Sequence, residues 1–468
     1  MITYQDLLEV GKTDAAKIEF IDKAIKTHKT SELYTTAIIA EEYNRHRNVT
    51  ITQYQKFLTK VTGEKIVDEW SANYKIPCNY FNFFIVQENQ YLLGNGVTWE
   101  NQATADKLGV KRRPFDTQLQ KLGKRALIDG VSFGFFNNDH VDVFAVTEFV
   151  PLYDEEDGAL KAGIRFWQID TNKPLRATLY ELDGFTEYIW KDGEGKVKEP
   201  KRAYKQKIRT ADIGGSEIYD FENYPTFPIV PLWGNQEHQS SLIGIRQGID
   251  CYDLIKSEFC NTIDEASYIY WTLQNAGGMQ NDELALEDFI RKLKKFHAVT
   301  VDDEVQATPN SIQAPFESRE TLLNRIEKDL YIDAKALNLD EVKSGSVVTS
   351  QITAAYDRLD KKCDEWEFCI HEFIDGILSI VGIEDNATFT RAKLVNVGEE
   401  IQNLVVASSF LTPEYVTTKI LTILGDGDKA NEIIVQMNAE SLDMLTSAYK
   451  GKSISDNESN AQRGAEGE

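Results

Sequence analysis

The chain has 468 residues, of which 42% are hydrophobic and 27% charged, so it is long enough to form a large core in more than one module. Its net charge of −24 disfavours a surface that wraps nucleic acid through phosphate contacts. The apolar stretches Tyr80 to Val86 and Ile374 to Val381 are too short for a bilayer-spanning helix, and Met1 to Asp6 lacks the features of a secretion signal. The sequence therefore predicts a cytoplasmic protein without a membrane span.

The five cysteines are odd in number and contain no C-x-x-C pair. This pattern argues against a disulfide framework and against a structural zinc site. We interpret the cysteines as buried thiols, and we expect neither a metal nor a cofactor.

The first part of the chain is predicted to be helical. Apolar residues recur at spacings of three and four in Thr13 to His28, Ser31 to Asn44 and Thr52 to Thr59. An aromatic-rich helix is predicted from Asn79 to Leu93, ending at Gly94-Asn95-Gly96, and a further helix from Phe115 to Ile128.

Between about residues 131 and 232 the pattern changes to short segments rich in β-branched and aromatic residues. Val141 to Val146, Ile164 to Ile169 and Ala177 to Leu182 are predicted strands, separated by Asp-Gly turns at Asp157, Asp183 and Asp192. The stretch Lys191 to Lys207, dense in Lys, Glu and Gly, is interpreted as a solvated hairpin tip. This region is predicted to be antiparallel β-structure.

A long helix is predicted from Leu242 to Leu273, which would extend roughly 45 Å. Its apolar residues repeat along one side: Leu242, Ile245, Ile249, Leu254, Ile255, Phe259 and Ile263. Asn275-Ala276-Gly277-Gly278 ends it. A second helix is predicted from Phe316 to Leu337, so the two long helices flank a small inserted module.

Residues 338 to 348 are predicted to form a loop centred on Ser344-Gly345-Ser346. Thr349 or Ser350 can cap a third long helix that runs to Val381. A strand at Ala387 to Leu394 and helices at Glu399 to Phe410 and Pro413 to Leu424 follow. Gly451 to Glu468 has almost no apolar residues and is predicted to be a disordered tail.

The sequence contains no specific catalytic motif. The chain has no G-x-x-x-x-G-K-[ST], H-E-x-x-H, G-x-S-x-G or G-x-G-x-x-G sequence. The six histidines are scattered, and the acidic clusters are interpreted as solvated loops. One compact basic run lies between the two long helices, at Arg291 to Lys295; it is either a solvated helix face or a contact for DNA or an acidic partner. We therefore expect no enzymatic activity.

Several separated segments resemble, in order and spacing, the portal proteins of long-tailed phages that infect Gram-positive bacteria. They are Tyr43 to Ile51, Asn79 to Gly94, Phe149 to Asp154, Ile164 to Trp167, Phe227 to Pro231, Asn235 to Glu237 and Ile249 to Ser257 with Asn261. The resemblance covers roughly residues 40 to 425.

The resemblance implies an α+β, mainly helical subunit with a wing, a two-helix stem, an inserted clip, a tunnel loop and a C-terminal crown, assembled as a ring of about twelve copies. In this sequence it places the wing at 1–240, the stem helices at 241–273 and 316–337, and the clip at 274–315. The tunnel loop would be 338–348, the helix behind it 349–382, the wing return and crown 383–450, and the tail 451–468.

The resemblance further implies that double-stranded DNA passes through the ring, that a separate terminase ATPase and later a head-to-tail adaptor dock at the clip, and that capsid and scaffolding proteins surround it in the virion. The expected contacts with DNA lie in the tunnel loop: Asp340, Glu341, Lys343, Ser344, Gly345 and Ser346. The candidate partner contacts lie in the clip: Asp282, Glu283, Glu287, Asp288, Arg291, Lys292, Lys294 and Lys295.

Two alternatives remain open at this stage. The chain could be another head-assembly or connector protein that has the same helices but no channel. It could also be a nucleic-acid-processing enzyme, which would need clustered carboxylates for two metal ions.

Overall fold

The computed structural model describes residues 2–11, 13–59, 63–69, 71–101, 103–191, 193–209, 218–266, 270–274, 306–310, 316–338, 349–392, 397–424, 432–437 and 439. The chain divides into two compact units. The first comprises Met1–Asn338 and Asp357–Ala392, and the second Leu339–Tyr356 and Lys393–Glu468.

The first unit combines helices and antiparallel sheets. Its helices are α1 (Tyr4–Glu9), α2 (Asp14–Lys29), α3 (Glu32–Asn44), α4 (Val49–Gln53), α5 (Tyr80–Leu93), α6 (Ala103–Leu108), α7 (Phe115–Asp129), α8 (Arg246–Ala266) and α9 (Phe316–Asp333). A long helix, α10 (Thr349–Val381), contributes its larger part to this unit. In the second unit, α11 (Val397–Ala407) and α12 (Pro413–Leu424) are described.

The strands are β1 (Phe57–Thr59), β2 (Lys65–Val67), β3 (Val97–Trp99), β4 (Val131–Asn137), β5 (His140–Ala145), β6 (Phe149–Tyr153), β7 (Leu160–Trp167), β8 (Leu175–Glu181), β9 (Gly184–Lys191), β10 (Glu194–Arg202), β11 (Lys205–Arg209), β12 (Ile218–Glu222), β13 (Ile229–Trp233), β14 (Tyr270–Gln274), β15 (Gln306–Asn310) and β16 (Ala387–Phe389). An antiparallel meander of five strands has the order β10-β9-β8-β7-β6, and a second sheet has the order β13-β4-β5. The predicted antiparallel β region is confirmed.

The core of the β region is built from large apolar side chains that alternate along the strands. Phe133, Phe144 and Phe149 are almost fully buried, and the Phe133 and Phe149 ring centroids are 4.5 Å apart. On the other side of the five-stranded sheet, α2 packs Phe20, Ile21 and Ile25 into a cluster with sheet residues. Both layers follow from period-2 alternation in strands and three-to-four spacing in helices.

Three predicted elements are corrected by the structure. Thr52 to Thr59 is not one helix, because α4 ends at Gln53 and 57–59 pairs as β1 with β2. Lys191 to Lys207 is not only a hairpin tip, because most of it is the edge strand β10. The helix predicted to Leu273 ends at Ala266, and Tyr270–Gln274 pairs with Gln306–Asn310. These aromatic and β-branched residues favour a strand once a partner strand is present.

Other predicted elements are confirmed closely. The helix predicted from Thr349 or Ser350 to Val381 spans Thr349–Val381. The second long helix begins at Phe316 as predicted, but it ends at Asp333 instead of Leu337. Among the described residues, no helix combines the length and apolar character that crossing a membrane requires. The predicted tail, 451–468, lies outside the described residues.

Candidate functional site at the base of the helix pair

The residues predicted to contact DNA and partners lie outside the part of the chain that the structure describes. Asp340, Glu341, Lys343, Ser344, Gly345 and Ser346 fall within 339–348. Asp282, Glu283, Glu287, Asp288, Arg291, Lys292, Lys294 and Lys295 fall within 275–305. Their roles stay predictions, but the framework from which both segments leave is described: α8 and α9, here called the helix pair, and the residues around them.

The buried stripe of α8 is polar rather than apolar. Ile249, Asp253, Ser257 and Asn261 are buried at intervals of four residues, whereas Ile263, on the predicted apolar side, is 49% exposed. A spacing of four keeps these residues on one helix face. Burying hydroxyl, amide and carboxylate groups is costly unless each has a hydrogen-bond partner, so the stripe requires a partner surface rich in donors.

An extended segment supplies those donors. The backbone N–H of Cys78 donates to Asp253 Oδ1 at 2.7 Å, that of Ile76 to Ser257 Oγ at 3.0 Å, and that of Tyr74 to Asn261 Oδ1 at 2.7 Å. Four residues of helix advance about 6 Å, and two residues of extended chain advance about 6.6 Å. The two spacings match, so residues 74–78 run antiparallel along α8 with every second N–H satisfied.

A third segment, residues 43–50, also forms hydrogen bonds with α8. Asn48 Nδ2 donates to Asp253 Oδ2 at 2.6 Å, and Thr50 Oγ1 donates to Asp250 Oδ2 at 2.8 Å. Tyr43 also donates its hydroxyl to the Asp250 carboxylate. Residues 43–50, 74–78 and 250–261 therefore meet in one hydrogen-bonded junction, which we call the polar junction.

The electrostatics of the polar junction do not favour a nucleophile. Burial raises the pKa of the Cys78 thiol to about 12, and the neighbouring Asp253 charge acts in the same direction. Burial also raises the pKa of Asp253, although the donors Asn48 and Cys78 oppose this shift. A protonated, buried thiol is a poor nucleophile. The hydrogen bonds of the junction hold its three segments together.

Aromatic rings also hold the N-terminal part of α8 and the C-terminal part of α9, which together we call the base of the helix pair. Tyr80 and Phe84 of α5 contact Tyr252 of α8 and Tyr331 of α9, with ring centroids 5.2 Å apart for Tyr80 and Tyr252 and 5.3 Å for Phe84 and Tyr331. Aromatic pairs at such distances stabilise beyond the area they bury. Both helices of the pair are thus fixed to α5.

The two helices pack closely at Gly248. A Cβ at this position would lie 2.8 Å from Leu330 Cδ2, which is closer than side chains tolerate. Farther along the pair, Arg319 Nη1 donates to Thr262 Oγ1 at 2.6 Å, and Phe259 packs on Phe316. The two helices therefore contact each other both at Gly248 and near Phe259.

The long helix α10 is anchored to the body of the first unit by charge. Arg391 contacts the carboxylates of Asp360, Asp364 and Glu367. Burial works against the cation, but these hydrogen bonds outweigh it and raise the pKa of Arg391. The Trp366 indole N–H also donates to the Trp233 carbonyl at 3.2 Å.

Sequence reasoning missed the polar junction. The available signal was the set Asp253, Ser257 and Asn261, which recurs at four-residue spacing along α8. Within the described ranges, no group of three or more His, Cys, Asp or Glu side chains is placed to hold a metal ion.

A helix pair that is interrupted by an inserted segment and rooted in an α+β body is the arrangement expected of portal subunits. The family model described as "Phage portal protein, SPP1 Gp6-like" matches residues 22–433. The chain belongs to this family, and the resemblance identified from the sequence is confirmed.

Two relatives carry the name portal protein. The one from Clostridium phage phiCD119 is 24% identical over 268 residues, which are 53% of this chain and 56% of the relative. The one from Bacillus phage SPP1 is 24% identical over 382 residues, 73% of this chain and 72% of the relative. The match thus spans little more than half the length of the Clostridium phage protein.

Solved structures with similar chains come from a gene transfer agent. A chain in the virion of the native particle has a TM-score of 0.41 at 10% identity, covering 74% of this chain and 89% of that one. A chain in the neck of the empty particle has a TM-score of 0.42 at 10% identity, with coverage of 74% and 90%.

Proposed function

We propose that this chain is the ring subunit of a phage portal, the channel at one capsid vertex through which double-stranded DNA is packaged and ejected. The observation that carries the proposal is the match of the portal family model to residues 22–433. The helix pair α8 and α9, separated in sequence by an inserted segment, supports it independently.

Within this proposal the wing comprises residues 1–240, with the β region and α1 to α7. The stem is the helix pair, and the clip lies between its helices. Because α8 ends at Ala266 and β14 follows, we place the boundary between stem and clip near residue 267 instead of 274. The tunnel loop is 338–348, α10 is the helix behind it, and 383–450 is the wing return and crown.

The proposed mechanism is a channel that conducts DNA without gripping it. An acidic lining repels phosphates, and this repulsion is screened beyond roughly 8 to 10 Å at ordinary salt. In a ring, Asp340, Glu341 and Lys343 each become a circle of charge around the duplex. Lys343 is the proposed transient phosphate contact, and Ser344-Gly345-Ser346 permits bending of the loop.

Energy for packaging is proposed to come from a separate terminase ATPase docked on the clip, later replaced by a head-to-tail adaptor. The candidate contacts are the clip residues Asp282 to Lys295 named above. The ring of about twelve copies would assemble in the host cytoplasm and reside in the virion. We propose no catalytic role for the chain itself.

Electron microscopy of the purified protein in negative stain tests the proposal. We expect ring-shaped particles with a central hole, and a ring-sized species in size-exclusion chromatography. A persistent monomer or dimer would contradict the portal assignment and favour a connector protein without a channel. A magnesium-dependent nuclease activity would favour the enzyme alternative.

The loop assignment has its own test. Replacing residues 340–346 by a short Gly-Ser linker should leave the ring intact in negative stain but reduce DNA packaged per capsid. If packaging continues at the wild-type level, residues 338–348 do not contact DNA during packaging.

A further inference from the structure

We propose that Gln87 is a positioning residue that fixes the point from which the predicted tunnel loop leaves the body. The inference rests on the proposed function for its consequence, but its structural part stands on described contacts alone. Those contacts involve α5, the C-terminal end of α9 and residues 334–337.

The side-chain amide of Gln87 forms hydrogen bonds with both backbone groups of Leu337. Its Nε2 donates to the Leu337 carbonyl at 3.0 Å, and its Oε1 accepts from the Leu337 N–H at 2.9 Å. One primary amide thus satisfies both backbone groups of a single residue, as a neighbouring strand would. Leu337 is itself buried, so these groups would otherwise lack water as a partner.

The residues just before Leu337 are fixed as well. Lys335 has a φ of 51°, Ala336 N–H donates to the Tyr331 carbonyl at 2.9 Å, and Lys335 N–H donates to the Ile332 carbonyl at 3.0 Å. This is a Schellman turn, which ends a helix sharply and satisfies its last carbonyls. The chain therefore leaves α9 in one defined direction.

Lys362 of α10 adds a second tie at the same place. Its ammonium donates to the Ala334 carbonyl at 3.0 Å and lies 2.7 Å from Glu88 Oε2. Glu88 is 2% exposed and follows Gln87 in α5. Adjacent residues of α5 thus hold residues 334–337, which we call the loop root. Gln87 contacts the loop root directly, and Glu88 does so through Lys362. A cation near a helix C-terminus is also favoured by the helix dipole.

The contacts of Gln87 and Lys362 with the loop root, here called the clamp, lie directly before the predicted tunnel loop. Leu337 directly precedes the predicted tunnel loop, 338–348, of which Asn338 is described. A ring of loops can present its charges to DNA at one height only if each loop starts from the same point in every subunit. Gln87 would set that starting point without touching DNA.

The test compares Gln87→Met, which keeps the length of the side chain but loses both hydrogen bonds, with Gln120→Met as a matched control. Gln120 donates to the Leu93 carbonyl at 2.9 Å from the neighbouring helix α7, away from the loop root. In the assembled full-length protein, hydrogen exchange at the Leu337 amide should become about 10-fold faster in Gln87→Met. Gln120→Met should leave that amide unchanged, and DNA packaged per capsid should fall only in Gln87→Met.

Gln87→Glu provides a second measurement that does not depend on the Met variant folding. A protonated Glu offers the same donor and acceptor as Gln, whereas the carboxylate keeps only the acceptors. Because the carboxylate can still accept the Leu337 N–H, the Leu337 amide should stay protected from exchange in Gln87→Glu, whereas it loses protection in Gln87→Met.

Wild-type protection of Leu337 in Gln87→Met, or exchange of that amide as fast in Gln87→Glu as in Gln87→Met, would overturn the clamp. Loss of protection with undiminished packaging would overturn its positioning role. Failure of the loop assignment is distinguishable, because then replacement of 340–346 leaves packaging intact while the exchange result still holds.

Discussion

The β region and the base of the helix pair both contain buried side chains, but those of the β region are mainly aromatic and those of α8 are mainly polar. In the β region, Phe144 is 1% exposed and its ring centroid lies within 6 Å of those of Phe135, Phe149 and Tyr180. At the polar junction, the buried stripe of α8 is Asp253, Ser257 and Asn261 below Ile249. Apolar side chains can shift slightly against each other, whereas hydrogen bonds fix the register of the segments that they join. The polar junction therefore suits a helix pair that is held in one position.

The largest loss of stability should follow from truncating the aromatic core. Phe144→Ala removes a buried ring and leaves a cavity between the two sheets, so we expect the free energy of unfolding to fall by about 4 kcal/mol. Urea denaturation measures this change. Phe410, which lies between α11 and α12 and is 90% exposed, is the control, and Phe410→Ala should be nearly neutral. A loss below about 1 kcal/mol for Phe144→Ala would contradict the packing account.

A buried carboxylate in the β-rich body gives the next largest effect. Asp129 is fully buried at the end of α7, and neither carboxylate oxygen has a hydrogen-bond partner among the described residues. Burial raises its pKa to about 8, even though Arg125 lies 3.7 Å away and acts in the opposite direction. The folded state therefore holds a proton on this group that the unfolded chain has already lost.

The sign of the pH dependence follows from that difference. The stability contributed by Asp129 is fully present below about pH 4 and is lost as the pH rises to about 8. Asp129→Asn removes this loss and should stabilise the protein at pH 8 by about 3 kcal/mol. Thermal unfolding at pH 5 and pH 8 measures it, with Asp106→Asn, at an exposed position, as control. An equal effect of Asp129→Asn at both pH values would contradict the raised pKa.

The same residue type behaves differently at the polar junction, because Asp253 has donors. Asp253→Ala leaves the Cys78 N–H and the Asn48 amide without their acceptor, so we expect a loss of about 2 kcal/mol. Because the junction fixes α8, hydrogen exchange at Cys78 should also accelerate. Gln247→Ala, at an exposed position of the same helix, is the control and should change neither quantity. Unchanged exchange at Cys78 would show that the junction does not depend on Asp253.

The smallest expected effect is a gain at the end of α9. Lys335 adopts a φ of 51°, a left-handed conformation that glycine reaches without steric cost. Lys335→Gly should stabilise the Schellman turn by about 0.5 kcal/mol, measured by urea denaturation. Lys328→Gly, within α9, is the control and should destabilise by about 1 kcal/mol. Equal losses for both variants would contradict the turn assignment.

Local patterns in the sequence were sufficient for much of the fold. We predicted the helix Thr349–Val381, the start of α9 at Phe316 and the strands β5 and β8 close to their observed bounds, because their apolar periodicity matches one secondary structure. The portal family was also identified from the sequence, through segments whose order is specific even though each is weak. The residues proposed for DNA and partner contact stay predictions.

Where the sequence failed, a distant partner decided the outcome. Tyr270–Gln274 continues a helical apolar pattern, but pairing with Gln306–Asn310, more than 30 residues later, makes it a strand. The polar stripe of α8 has no local explanation, since the backbone of Cys78 reaches Asp253 across 175 residues of sequence. Periodicity in the sequence determined which segments form helices and strands, because it reflects contacts within a few residues. Only the tertiary structure decided what the helix pair rests on, because a buried polar side chain is stable only beside the particular donors that the fold brings to it.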